Sequence, residues 1–129
     1  ILDAARTTSI PLSVTEAAQR AAIVSLDHET VVLERVHRLA MLRDEVWRSL
    51  VDQGWSVPRP QGNFVWLATG ASTAAAAELF AAAGIVVRPF AAEGIRISIG
   101  ESQSVDKLLK AAAEVVRTLP TPRFAPALD

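Results

Sequence analysis

Gly94-Ile95-Arg96-Ile97-Ser98-Ile99-Gly100 is the stretch on which the fold turns. Its three isoleucines alternate with Arg96 and Ser98, the period of two that sends one set of side chains to each face of a sheet. A strand with one apolar and one wet face belongs to a sheet with helices packed on one side only. Two further apolar runs have strand length. Phe64-Val65-Trp66-Leu67 lies between Gly62 and Gly70, and Ile85-Val86-Val87-Arg88 follows Gly84. Trp55-Ser56-Val57 is a short extended piece cut off by Pro58 and Pro60.

Around these strands the period changes to that of helices. Thr15 or Ser13 caps a first helix over about 15–27, with Ala18, Ala22, Ile23 and Leu26 on one face. A longer one over about 30–53 carries the stripe Leu33, Val36, Leu39, Ala40, Val46, Trp47, Leu50 and Val51, and Gly54 ends it. Ser72 or Thr73 opens an alanine-rich helix with Ala76, Leu79, Phe80 and Ala83 along one side, stopped at Gly84. Ser102 or Ser104 opens the last, whose face is Val105, Leu108, Leu109, Ala112, Val115, Val116 and Leu119, closed by Pro120 and Pro122. The order helix, helix, strand, helix, strand, strand, helix predicts an α/β (α+β) fold. We expect a small mixed or antiparallel sheet of three or four short strands packed against helices.

The chain has 129 residues, a formal net charge of −1 and no cysteine. One domain is the expectation at this length. A near-neutral balance argues against a nucleic-acid binder, and the lack of thiols removes disulfides, thiolate metal sites and thiol catalysis. No apolar run approaches the span of a membrane helix, and no secretory leader is visible, so a cytoplasmic protein without membrane or nucleic-acid partners is expected. The chain opens at Ile1, which suggests a piece of something longer. Residues 1–13, with Thr7-Thr8-Ser9 and Pro11, are expected to be a linker, residues 14–119 the domain, and residues 120–129 a flexible tail.

Few residues offer chemistry. His28 and His37 stand nine positions apart with no third histidine, which is poor material for a metal site. Glu29, Glu34, Asp44 and Glu45 are interleaved with arginines, the pattern of paired surface charges. Neither a nucleophile elbow nor a glycine-rich phosphate loop is present. The only lysines, Lys107 and Lys110, fall off the apolar face of the last helix, where neither is desolvated as a Schiff-base amine must be. The arginines in strands differ. Arg96 interrupts an apolar strand and Arg88 ends another, and if those strands are neighbours the two guanidinium groups share a region that an anion can occupy. The other reading is that each arginine simply lies on the wet face of the sheet.

Three segments together resemble a known family. Gln61-Gly62-Asn63-Phe64-Val65-Trp66-Leu67, Gly84-Ile85-Val86-Val87-Arg88-Pro89-Phe90 and Gly94 to Gly100 look like the closing third of a fold-type I PLP-dependent aminotransferase, nearest the histidinol-phosphate and aromatic amino-acid branch. The stretch Thr7 to Gln19 resembles the segment that leaves the large domain in that family, although Ser13 stands where asparagine is common. The resemblance implies the C-terminal small domain of such an enzyme. Arg96 then matches the arginine that grips the substrate's α-carboxylate or phosphate, Arg88 a second arginine at that anion, and Asn63 a supporting position beside the site. It also implies pyridoxal 5′-phosphate in the whole enzyme, a large PLP-binding domain as partner, a homodimer, and an amino acid and a 2-oxo acid as substrates. The Schiff-base lysine falls outside this chain in that scheme, so we expect this chain alone to bind no cofactor and to be inactive. Two alternatives stand beside it: a PLP-dependent decarboxylase of phosphothreonine type, and a stand-alone module that binds anions or a protein without catalysis. A domain severed from its neighbour is expected to expose the apolar patch that the neighbour covers.

Overall fold

The computed structural model describes residue 7 and residues 13–119. The chain divides into two compact units between Val36 and His37. The expected linker falls outside the described residues except at Thr7 and Ser13, and the expected tail falls outside them entirely.

The first unit contains helix α1 (Glu16–Asp27) and the start of helix α2 (Glu29–Asp52). The expected cap is present: the Thr15 hydroxyl accepts from the Ala18 amide at 3.2 Å. Glu16 and Arg20 pair across one turn at 2.7 Å. At the other end His28 turns the chain, its Nδ1 2.9 Å from the Val24 carbonyl. No residue of α1 is buried. Ile23, Leu26, Leu33 and Val36, all expected on buried faces, are between 55% and 74% exposed. The α2 stripe is therefore covered only from Leu39 onward, within the second unit.

The second unit holds the core. Strands β1 (Phe64–Leu67), β2 (Arg88–Phe90) and β3 (Gly94–Ser98) form one sheet in the order β1-β3-β2, antiparallel throughout. Ile95, Ile97 and Ile99 point inward as the alternation predicts, beside Val65 and Leu67. Helix α3 (Thr73–Ala82) supplies Ala76 and Phe80, and helix α4 (Val105–Thr118) supplies Leu108, Ala111, Ala112 and Val115. Val46 and Leu50 of α2 complete the cluster, both fully buried, and Trp47 lies at its margin, donating from Nε1 to the Val57 carbonyl at 3.0 Å. Gly54 and Gly84, both at positive φ, end α2 and α3 as expected.

Two local expectations need correction. The start of α3 is not capped by Ser72, whose side chain makes no cap bond; buried Thr69 and Thr73 share a hydroxyl hydrogen bond at 2.8 Å, and Thr73 donates to the Gly70 carbonyl at 2.6 Å. Ser104 likewise occupies the cap position of α4 without capping it. The strand expected over Ile85–Arg88 lies instead at Arg88–Phe90. The turn explains the extension to Phe90, and the Ile85 amide is held back by the Phe80 carbonyl at 2.9 Å. Only Ala91–Glu93 separate β2 from β3; Glu93 donates to the Phe90 carbonyl at 3.0 Å, and Ala92 takes φ 59°. A hairpin this tight pairs its strands from the turn outward, starting at Phe90 with Gly94. Pro89 is tolerated because β2 is an edge strand, where no ladder bond is lost on the outer side.

Candidate functional site

The register decides what faces away from the core. Trp66 and Arg88 stand directly opposite Arg96 on its two sides, Phe64 is opposite Ser98, and Phe90 is opposite Gly94. Because side chains alternate, these residues share the outer face, and directly opposed pairs put their Cβ atoms about 4.5–5.5 Å apart. The two arginines expected to share a region are thus cross-strand neighbours. The segment between them is largely the hairpin that aligns them.

Each guanidinium lies over a ring. Arg96 Cζ is 5.5 Å from the Phe64 centroid and Arg88 Cζ is 5.3 Å from that of Phe90. Trp66 leans across β3 above Gly94 and meets Phe90 edge-on, with centroids 5.5 Å apart and planes at 61°. Gly94 leaves the space for it: a Cβ there would lie 2.6 Å from Trp66 Cζ2 and 2.5 Å from the Leu67 carbonyl oxygen. Arg96 is half-buried, and its Nε is buried with no hydrogen-bond partner among the described residues. An unpartnered charged donor is costly to bury, which makes this the point of the face best prepared to receive an acceptor.

Asn63 is not part of this arrangement. It stands one residue out of phase with Phe64, and its carbonyl accepts from the Ile99 amide at 2.8 Å, which extends the β1–β3 ladder. Its surroundings are a separate depression beside Ile85, Val86, Ile97, Ile99 and Glu101. The structure makes Arg88 and Arg96 cross-strand neighbours, with Arg96 over Phe64 and Arg88 over Phe90, and puts Asn63 one residue out of phase with that face. Conversely, Phe64, Trp66, Phe90 and Gly94 belong to the outer face. Their sequence signal was the even spacing of Phe64 and Trp66 and the three-residue turn before Gly94.

The remaining candidates behave as surface charge. Arg43 and Asp44 pair at 2.6 Å, and hydrogen bonding from Arg43 holds the Asp44 carboxyl below the usual carboxylate range. Arg43 also donates to the carbonyls of Gln61 at 3.2 Å and Gly62 at 3.3 Å. His28 and His37 belong to no metal-holding group among the described residues. No helix among the described residues is long and apolar enough to cross a membrane.

Comparison with known proteins agrees with the resemblance. The family model "Aminotransferase class I and II" matches residues 1–111, and the chain belongs to that family. It is 46% identical over 116 residues to an aromatic amino acid aminotransferase of Streptomyces coelicolor, covering 90% of this chain and 32% of that protein. A Thermobifida fusca protein of the same description is 43% identical over 120 residues, covering 93% and 32% respectively. A solved structure of a putative aminotransferase from Burkholderia pseudomallei superposes with a TM-score of 0.70 at 24% identity, covering 88% of this chain and 36% of that one, and so shares the fold. The chain spans about a third of the length of these curated relatives.

The family implies PLP, whose attachment needs a desolvated lysine. Lys107 and Lys110 are exposed on α4, beside a shallow depression with Leu79, Ala83, Ala111 and Glu114, away from the arginine face. The described residues do not fit a PLP site.

Proposed function

We propose that this chain is the substrate-gripping part of a PLP-dependent aminotransferase that moves an amino group between an amino acid and a 2-oxo acid. The observation that carries the reading is the cross-strand pair Arg88–Arg96, with Arg96 Nε buried and unpartnered. The two residues are cross-strand neighbours whose guanidinium groups lean to opposite sides, Arg96 over Phe64 and Arg88 over Phe90, and the planar fork of arginine suits a carboxylate or phosphate at Arg96. Asn63 has a supporting role at most, through its hold on the β1–β3 ladder. An aromatic amino acid is the favoured donor over histidinol phosphate. The names of the relatives support that choice, as do the paired Trp66 and Phe90 rings on the same face. In this reading PLP is held elsewhere in the protein and supplies the amino-group chemistry, while this chain supplies binding and orientation. The partners are then the small-molecule substrates, the PLP-binding remainder of the polypeptide and a second subunit, in the cytoplasm.

The test is Arg96→Leu in the complete enzyme. Losing the charge partner of a bound carboxylate costs about 2–5 kcal/mol in transition-state binding, roughly a 30- to several-thousand-fold drop in kcat/KM. An unchanged kcat/KM for the amino donor refutes the role of Arg96. The visible spectrum of the same protein adds a second readout: absorbance that shifts on adding an amino acid supports transamination, and loss of carbon dioxide from the substrate points to the decarboxylase instead.

A further inference from the structure

Phe64 has no obvious reason to be aromatic. It sits at the first position of β1, on the outer face, and its side chain is 39% exposed, so core packing does not account for it. Its ring nevertheless has a defined seat. Gly62 lies beneath it, where a Cβ would stand 2.8 Å from Phe64 Cε1 and 3.2 Å from Cδ1. The Gly62 carbonyl is held in turn by Arg43, which Asp44 fixes through Nε and Nη2 at 2.8 and 2.6 Å. Above the ring is Arg96, reaching past the short Ser98 side chain that faces Phe64 across the ladder.

We infer that Phe64 is a positioning residue for Arg96: its ring holds the guanidinium in place while leaving the N–H donors of the terminal nitrogens free for a substrate anion. The inference rests on the proposed role of Arg96. A carboxylate of this protein would hold the arginine more firmly but would occupy the same donors. A ring face attracts the cation without using any of them. A guanidinium already held this way also loses less rotamer freedom when the anion arrives. Arg88 over Phe90 repeats the arrangement one strand away, without the buried Nε.

The test compares Phe64→Leu, which keeps apolar bulk without a ring, with Phe64→Tyr, which keeps the ring, in the complete cofactor-loaded enzyme. A cation–π contact at a partly exposed site corresponds to about a two- to fivefold effect on binding. Phe64→Leu is therefore expected to raise KM for the amino donor by that factor at unchanged kcat, with Phe64→Tyr restoring it. An unchanged KM in Phe64→Leu, or equal impairment in both variants, overturns the inference. Arg96→Leu separates the two levels: if it impairs and Phe64→Leu does not, only the inference fails, and if it too is silent the functional reading fails with it. A readout independent of activity is the Arg96 Nε–H resonance, assigned by its loss in Arg96→Lys. Stacking requires it to be shifted upfield by the ring in the unsubstituted protein, and an unshifted resonance overturns the inference without any Phe64 variant having to fold.

Discussion

Replacing Gly94 by alanine is the most informative perturbation of stability, because two effects of opposite sign compete at one methyl group. A glycine inside a strand costs about 0.5–1 kcal/mol relative to alanine, so the substitution stabilises if space is available. Space is not available: the added Cβ would stand 2.5 Å from the Leu67 carbonyl oxygen and 2.6 and 2.9 Å from Trp66 Cζ2 and Cε2. Comfortable carbon contacts begin near ~3.5 Å, so the deficit approaches one ångström on both sides. The carbonyl belongs to the backbone of β1, and the indole is braced edge-on by Phe90. Overpacking costs about 1–3 kcal/mol, and clashes this deep on both sides fall in its upper half, about 2–3 kcal/mol, which leaves a net loss of roughly 1–2 kcal/mol after an intrinsic gain of about 1 kcal/mol. At about 4 °C per kcal/mol, thermal unfolding of the chain shifts down by about 4–8 °C. In a Trp66→Leu background the penalty is expected to shrink but persist, since the carbonyl remains. A Gly94→Ala chain as stable as the unsubstituted one, or more so, refutes the close-approach argument.

Gly62→Ala makes a useful contrast, since its nearest obstacle is not backbone but the edge of the Phe64 ring at 2.8 Å, which would have to leave its seat without any core contact being lost. Stability is expected to stay within about 0.5 kcal/mol by urea titration, and a large loss shows that the ring is fixed more firmly than its exposure suggests. Trp47→Phe removes the Nε1–H bond to the Val57 carbonyl and is expected to cost about 0.5–1.5 kcal/mol by the same assay; no change means that bond is replaced by water at no cost. For Asp44, hydrogen bonding from Arg43 lowers the folded-state pKa, so its contribution is complete above the unfolded pKa and is lost as the pH falls through the lower folded value. The stability advantage of the unsubstituted chain over Asp44→Asn is therefore expected to hold at neutral pH and to shrink below about pH 4. An advantage that is flat from pH 6 to pH 3 contradicts the pairing.

The sequence by itself determined the elements whose cause is local. Alternation at Ile95, Ile97 and Ile99 specified a half-buried strand, and the helix period and terminal glycines placed α2 and α3 to within a residue or two. The family resemblance rested on the same stretches and was confirmed over residues 1–111. Tertiary structure alone decided the rest. Ile85–Val87 has strand composition yet lies outside the strand: Ile85 donates instead to the Phe80 carbonyl at the end of α3, and the pairing that starts at Phe90 stops at Arg88. The same register set Arg88 opposite Arg96, and the β1–β3 ladder carried Asn63 opposite Ile99, out of phase with the outer face. Gly94 and Gly62 look like strand boundaries in sequence, and only the packing of Trp66 and Phe64 over them shows what an added Cβ would meet. Periodicity is written along the chain, whereas register and close approach depend on which segments meet, and that is settled by the turn and the core together.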